Sequence, residues 1–235
     1  MRGILIGLST GKTTGNGIVN LTEVVHTGVS KSTGPKNLGL VQEEKEIGKP
    51  DIQSYTVEVP GRNGLLNLTK ALTGRVMYSN RELKFRYFGS GSRAELLALD
   101  EAMTRYHGET VIIIDDDYPD YYYEGEATVS TEYGSNYVLI SLKVDAQPFR
   151  MKNIFSGSTQ TLTSSQTTVT VTNGGVEVVP TISVTGEATI SFNGVTVHLT
   201  DGTYIVEKFV LSRGENTFTA YGDGKLSITY REGTI

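Results

Sequence analysis

Val59-Pro60-Gly61-Arg62-Asn63-Gly64-Leu65-Leu66, followed by Tyr78-Ser79-Asn80-Arg81-Glu82-Leu83-Lys84-Phe85, decides how this chain is read. Proline fixes the approach to a turn, and glycine supplies the positive φ that other residues avoid, so the first stretch is a strand end, a Pro-Gly/Asn-Gly turn and a new strand. The second stretch alternates polar with apolar residues and reads as a further strand. Working outward, Tyr55–Val59, Leu83–Phe88 and Tyr137–Val144 are rich in β-branched and aromatic residues with partial alternation. They are predicted to be half-buried strands of an antiparallel sheet or barrel.

One segment breaks this pattern. Ser92 and Glu95 form an S-x-x-E capping box, Leu96, Leu99, Met103 and Tyr106 recur at helical spacing, and Gly108 supplies a stop. The spacing predicts a single helix over about residues 92–107 whose apolar stripe faces one side of the sheet. Next, Val111–Ile114 runs into Asp115-Asp116-Asp117-Tyr118-Pro119-Asp120, and Tyr121-Tyr122-Tyr123 begins the return. Turn formers and a proline must end the strand there, so this is a hairpin with an acidic tip in solvent or at an interface. Strands and helix are segregated, which gives a mainly β chain with one helix, of the α+β type.

Composition changes after Pro148-Phe149-Arg150. Residues 156–172 are dense in Ser and Thr, and short strands then follow at close spacing. Asn193-Gly194 between alternating runs marks a type I′ hairpin, and other glycines mark further turns. The chain therefore divides into residues 1–150 and residues 151–235, the second part being an all-β sandwich. The first ~35 residues, with little periodicity, read as an arm or poorly packed lead-in.

Composition removes several function classes. In 235 residues, 21 Lys+Arg against 26 Asp+Glu give a net charge of −5, which argues against a surface built to grip nucleic-acid phosphates. With no cysteine there is no disulfide framework, thiolate metal site or thiol nucleophile. Met1–Leu8 is too short an apolar run for an export signal, and no run approaches the ~20 apolar residues that span a bilayer.

Candidate chemistry fails on context. Gly7-Leu8-Ser9-Thr10-Gly11 matches G-x-S-x-G, but that motif needs a helix directly after the turn, and Lys12-Thr13-Thr14-Gly15-Asn16-Gly17 cannot form one. Gly11-Lys12-Thr13 lacks the first glycine of a phosphate loop at the position of Ile6. Asp115, Asp116, Asp117, Asp120, Glu124 and Glu126 have the charge to attract a hard cation, yet Pro119 and Asp120 stand where a calcium loop needs its third ligand and its glycine. His26, His107 and His198 are not at metal-ligand spacing. No catalytic residue, metal site or cofactor is expected, and the protein is not expected to be an enzyme. Thirteen tyrosines make glycan stacking worth weighing, but there is no tryptophan, and subunit interfaces use tyrosine for the same amphipathic reason.

Taken in order, several motifs resemble the distal tail proteins of siphophages. They are Leu38-Gly39-Leu40-Val41, the turn Pro60–Gly64, the strand Tyr78–Phe85, the helix ending at Tyr106-His107-Gly108, the acidic hairpin Asp115–Tyr123, and the exit Ala146-Gln147-Pro148-Phe149-Arg150. In the second part, Thr172-Asn173-Gly174-Gly175 through Pro180 and Gly214-Glu215-Asn216 are similar to that family's galectin-like module. The opening 36 residues depart from the pattern. The resemblance implies a tail-tube-like β-barrel or sandwich in residues 1–150 that forms a hexameric ring, and a galectin-like β-sandwich in residues 151–235. It further implies a structural protein of the virion tail tip, made in the bacterial host cytoplasm. Such a ring joins the tail tube protein to tip or receptor-binding proteins, with DNA passing through it and no specific nucleic-acid or membrane binding.

On that reading Pro60, Gly61, Arg62, Gly64, Arg81, Asp115, Asp116 and Asp117 are turn or interface residues, and the acidic hairpin lines or caps the ring. The alternatives are a cell-wall carbohydrate-binding or receptor-binding module of a phage baseplate or tail-like bacteriocin, and a hydrolase using Ser9.

Overall fold

The computed structural model describes residues 4–8, 13–14, 18–19, 35–61, 63–73 and 76–235. Two compact units are present, Met1–Arg150 with Ile235, and Met151–Thr234. In chain order the first contains β1 (Ile4–Leu8), β2 (Thr13–Thr14), β3 (Ile18–Val19), a 3-10 turn at Pro35–Leu38, β4 (Val41–Ile47), β5 (Ile52–Gln53), β6 (Thr56–Val57) and β7 (Leu66–Asn67). There follow the one-turn helix α1 (Thr69–Thr73), β8 (Met77–Tyr78), β9 (Arg81–Ser90), helix α2 (Arg93–Thr104), β10 (Thr110–Asp115), β11 (Tyr121–Tyr133) and β12 (Tyr137–Ala146). Among the described residues no helix is long and apolar enough to cross a membrane.

Five antiparallel pairings order the main sheet of this unit as β1-β10-β11-β12-β9-β4. Ile4–Leu8, expected to belong to a loosely packed lead-in, is instead its edge strand, from Ile4↔Asp115 to Leu8↔Val111. Alternation sorts the two faces. Leu83, Phe85 and Tyr87 of β9 and Val138, Ile140, Leu142 and Val144 of β12 point into the core, where Leu96, Met103 and Tyr106 cover them from the helix side. Each such side chain fully buried stabilises the fold by about 1.5–3 kcal/mol. On the opposite face Glu82 pairs with Lys84 at 2.7 Å and with Lys143, and Lys84 also meets Glu46 at 3.4 Å. That face is a balanced charge ladder rather than an acidic surface.

The helix begins as its sequence requires. Ser92 is extended (φ −66°, ψ 160°), its hydroxyl accepts from the Glu95 N–H, and the Glu95 carboxylate accepts from the Ser92 N–H at 2.7 Å. A cap of this kind contributes about 1 kcal/mol.

β13 (Arg150–Lys152) begins at the last residue of the first unit, and the second unit contains β14 (Ser156–Leu162), β15 (Thr167–Asn173), β16 (Thr181–Phe192), β17 (Val195–Leu199), β18 (Gly202–Ile205), β19 (Gly214–Tyr230) and β20 (Gly233–Thr234). The long strands β16 and β19 pair from Thr181↔Thr229 to Ser191↔Thr219. The first half of β16 also pairs with β18 and the second half with β17, while β19 pairs first with β15 and then with β14. One sheet thus folds over itself into two layers, β17-β16-β19-β15 and β18-β16-β19-β14. Phe192 and Phe218 stack between them at 4.2 Å with Phe209 edge-on to both. At the Asn193-Gly194 turn both residues have positive φ (48° and 78°), the geometry the type I′ reading demands. The two asparagine motifs fix loops: fully buried Asn173 donates to the Val176 and Leu211 carbonyls, and Asn216 donates to those of Ser212 and Gly214.

Lys152 and Glu232 form an ion pair at 2.5 Å near the start of this unit. The hydrogen bond from Lys152 holds Glu232 below the ordinary glutamate value of 4.5, opposed by burial and helped by Gly174 and Ser156. A carboxyl group depressed by folding stabilises above its unfolded value, and that stability is lost as pH falls through the lower folded value. Urea unfolding followed by circular dichroism should show wild type losing on the order of 1 kcal/mol more than Glu232→Gln between about pH 5 and about pH 3. Parallel pH profiles for the two proteins would contradict this.

Candidate assembly surface

Residues 48–80 form an arm that continues the β4–β9 pair beyond the sheet. Gly48 N–H donates to the Glu82 carbonyl at 3.0 Å, Ile52↔Tyr78 and Gln53↔Met77 follow, and Thr56↔Asn67 and Val57↔Leu66 close the far end. The expected strand Tyr55–Val59 shrinks to Thr56–Val57, and the short helix α1 fills the returning branch. Pro60, Gly61 and Gly64 lie in the loop at the tip. Gly61 (φ 83°) and Gly64 (φ 81°) both need the left-handed backbone the sequence foretold, with open space around each. Arg62 lies outside the described residues.

This arm has almost no interior. Ile52 is 63% exposed, Leu72 is 67% exposed, and Tyr55, Val57 and Leu65 are exposed as well. A two-stranded hairpin alone in water is marginally stable at best. Its exposed apolar side chains are concentrated where no described residue covers them, the pattern of a surface made for a partner.

Asp115 corrects the reading of the acidic hairpin. It is 2% exposed and sits inside the curled sheet, where Lys45 Nζ reaches its carboxylate at 2.5 Å and that of Asp117 at 2.6 Å. Asp115 therefore cannot line a lumen. Only Asp116, Asp117 and Asp120 of these acids are exposed at the tip. The ion pair joins β4, one end of the sheet path, to β10, the strand next to the other end, so it clasps the two sides of an open sheet together. Burial alone would lower the Lys45 pKa, but the hydrogen bonds and charges of Asp115 and Asp117 outweigh it and raise the ammonium above 10.5. Burial, then Asp115, pushes the Tyr87 hydroxyl well above the ordinary tyrosine range.

Arg81 is likewise internal, 4% exposed, with its guanidinium 5.3 Å over the Tyr123 ring and Nη1 donating to the Tyr123 hydroxyl at 3.4 Å. Burial, first, and then the charge of Arg150 lower its pKa against the pull of Tyr123. Arg150 stacks on Tyr118 at 4.0 Å and Tyr121 at 5.1 Å. Sequence reasoning missed Lys45 and the role of Arg150. A lysine in phase with inward-facing Ile47 was a usable signal for the first; for the second there was none, since only folding brings β13 to the tyrosines.

No catalytic constellation gathers among the described residues. Ser9 and His26 lie outside them. His107 Nδ1 is 3.1 Å from both the N–H and the carbonyl of Val129, and His198 Nδ1 is 3.1 Å from the Thr189 hydroxyl, so both rings are held by strand neighbours. A shallow cleft lined by Leu38, Val41, Phe88, Ala98 and Leu99 has Glu95 as its carboxylate, already committed to capping α2. No three His, Asp or Glu side chains among the described residues are placed to share a metal ion.

No protein-family model and no curated protein sequence matches the chain. Among solved structures it is similar to the Dit protein (gp 19.1) of phage SPP1, over 99% of both chains, with a TM-score of 0.58 and 14% identity. That protein is described as a paradigm of the hub adsorption apparatus in phages infecting Gram-positive hosts. Chains of the phage p2 baseplate in its activated conformation align at lower scores. The strontium form gives 0.40 at 7% identity over 100% of both chains, and the calcium form 0.35 at 8% identity over 99% of this chain and 98% of the other. The chain has the fold of a phage distal tail protein.

Proposed function

We propose that this protein is a structural component of a phage or prophage tail, forming a hexameric ring at its distal end that joins the tail tube to the tip and adsorption apparatus. The observation that carries the reading is the arm of residues 48–80, an apolar ribbon without a core on a chain that shares the distal-tail fold over its whole length. A closed ring needs one surface to fit a different surface of the next copy, and a projecting arm is half of such a head-to-tail contact. Residues 1–150 supply the ring and residues 151–235 a galectin-like module. The exposed Asp116, Asp117 and Asp120 suit a wall past which DNA moves without the counterion release that makes it stick.

Purified full-length protein should run as a uniform large species on sizing and appear as rings in negative stain. The double variant Leu65→Glu, Leu72→Glu should be monomeric with an unchanged circular dichroism spectrum, because both side chains are exposed and the monomer should lose no more than about 1 kcal/mol. Rings that persist in this variant would remove the arm from the interface. A wild-type protein that stays monomeric and binds cell-wall glycans would instead favour the carbohydrate-binding module.

A further inference from the structure

Other partly or fully buried cations of this protein have a carboxylate or carbonyl close by: Lys45 has Asp115 and Asp117, Lys152 has Glu232, and Arg231 donates to the carbonyls of Lys152 and Asn153 at 2.8 and 2.7 Å. Buried Arg81 and half-buried Arg150 differ. Among the described residues neither has a carboxylate or carbonyl partner, Arg81 donating only to the Tyr123 hydroxyl at 3.4 Å. Arginine stays charged in any protein environment, so two guanidinium ions share this region with no counter-charge among the described residues.

Their positions follow from β11. Tyr121 and Tyr123 are two residues apart on one strand and so point to the same side, with Arg150 over the first ring and Arg81 over the second. Tyr118 covers Arg150 at 4.0 Å and is itself 46% exposed, so the stack opens to solvent at that end. Aromatic rings occupy the flat faces of both guanidinium groups. Apart from the Arg81 Nη1 bond to the Tyr123 hydroxyl, what remains is their in-plane N–H edges, the groups that grip a carboxylate in a fork.

We propose that Arg81 and Arg150, framed by Tyr118, Tyr121 and Tyr123, form a binding site for a single carboxylate. Arg150, nearer solvent, receives the anion at the mouth, and Arg81 supplies the buried positive charge behind it. The carboxylate belongs either to an Asp or Glu side chain of another copy of this chain or to a free organic acid. The site does not depend on the ring reading, since the two arginines lack a counter-charge among the described residues of one copy.

The test uses full-length protein at a dilution where sedimentation shows single copies, with malonate as the probe and chloride at matched ionic strength as the control. Malonate should raise the thermal midpoint of wild type saturably by about 3–5 °C over chloride. Arg150→Gln should abolish the rise, and Arg150→Lys, which keeps the charge but not the fork, should retain less than half of it. No excess over chloride in wild type, or an undiminished rise in both variants, overturns the proposal. Sedimentation at higher concentration then separates the sources. Malonate shifts assemblies toward smaller species if the natural carboxylate comes from another copy, and leaves the distribution unchanged if the ligand is a free acid.

Discussion

Gly224→Ala is expected to destabilise the second unit by about 4 kcal/mol or more, one of the largest effects any single substitution here should have. A Cβ at this position would lie 1.8 Å from the Thr185 carbonyl oxygen, and across the same crossing a Cβ on Gly186 would lie 2.1 Å from that of Asp223. Gly186 (φ 88°) and Gly224 (φ 132°) are register partners where β16 and β19 bend from one layer into the other. Neither backbone can retreat, because hydrogen bonding to β18 and β14 on one side of the bend and to β17 and β15 on the other fixes both strands. The contact must be relieved by breaking pairing, at a cost of about 4 kcal/mol or more, against a typical domain stability of ~5–15 kcal/mol. Limited proteolysis should degrade residues 151–234 while residues 1–150 resist. Gly194→Ala is the control: its φ is also positive but nothing lies within 4 Å, so it should cost only about 1–2 kcal/mol. A wild-type unfolding midpoint for Gly224→Ala would refute the folded-over sheet.

Lys45→Met is expected to destabilise the first unit by about 2–3 kcal/mol, while Asp115→Asn costs less. The methionine variant leaves Asp115, whose side chain is 3% exposed, as a buried carboxylate without its cation. In the asparagine variant Lys45, 22% exposed, keeps Asp117 and some access to water. The expected loss lies below that of a fully buried pair for the same reason. Because folding raises the Lys45 pKa, its contribution is complete below 10.5 and disappears as pH rises through the higher folded value. Urea unfolding should therefore show the gap between wild type and Lys45→Met constant near about pH 8 and closing above about pH 11. Equal losses in the two variants would mean that the pair does not clasp the sheet.

Much of the fold was legible because it rests on local rules. The S-x-x-E box located the start of α2, Asn193-Gly194 located the β16–β17 turn, and alternation in β9 and β12 identified their inward faces. The site was less legible. Pro60, Gly61 and Gly64 mark a turn in any fold, and their presence at the tip of a coreless arm depends on what fails to pack beside them. Asp115 was read as part of an acidic tip in solvent or at an interface, and Arg81 as a turn or interface residue, because acidic runs and arginines are usually solvated. Lys45 lies 70 residues from Asp115, and no local pattern joins them.

The sequence by itself determined the β-rich class, the one long helix and its apolar stripe, the principal turns and the absence of cysteine chemistry, since each follows from backbone preference or side-chain type over a few residues. Only the tertiary structure decided that Ile4–Leu8 is an edge strand, that Asp115 is a buried clasp, that two arginines share a tyrosine frame, and that β16 and β19 each serve two layers. Those outcomes depend on which distant strands meet when a twisted sheet curls. Pairing register, burial and charge balance across that curl set them, and all three are properties of the folded chain as a whole.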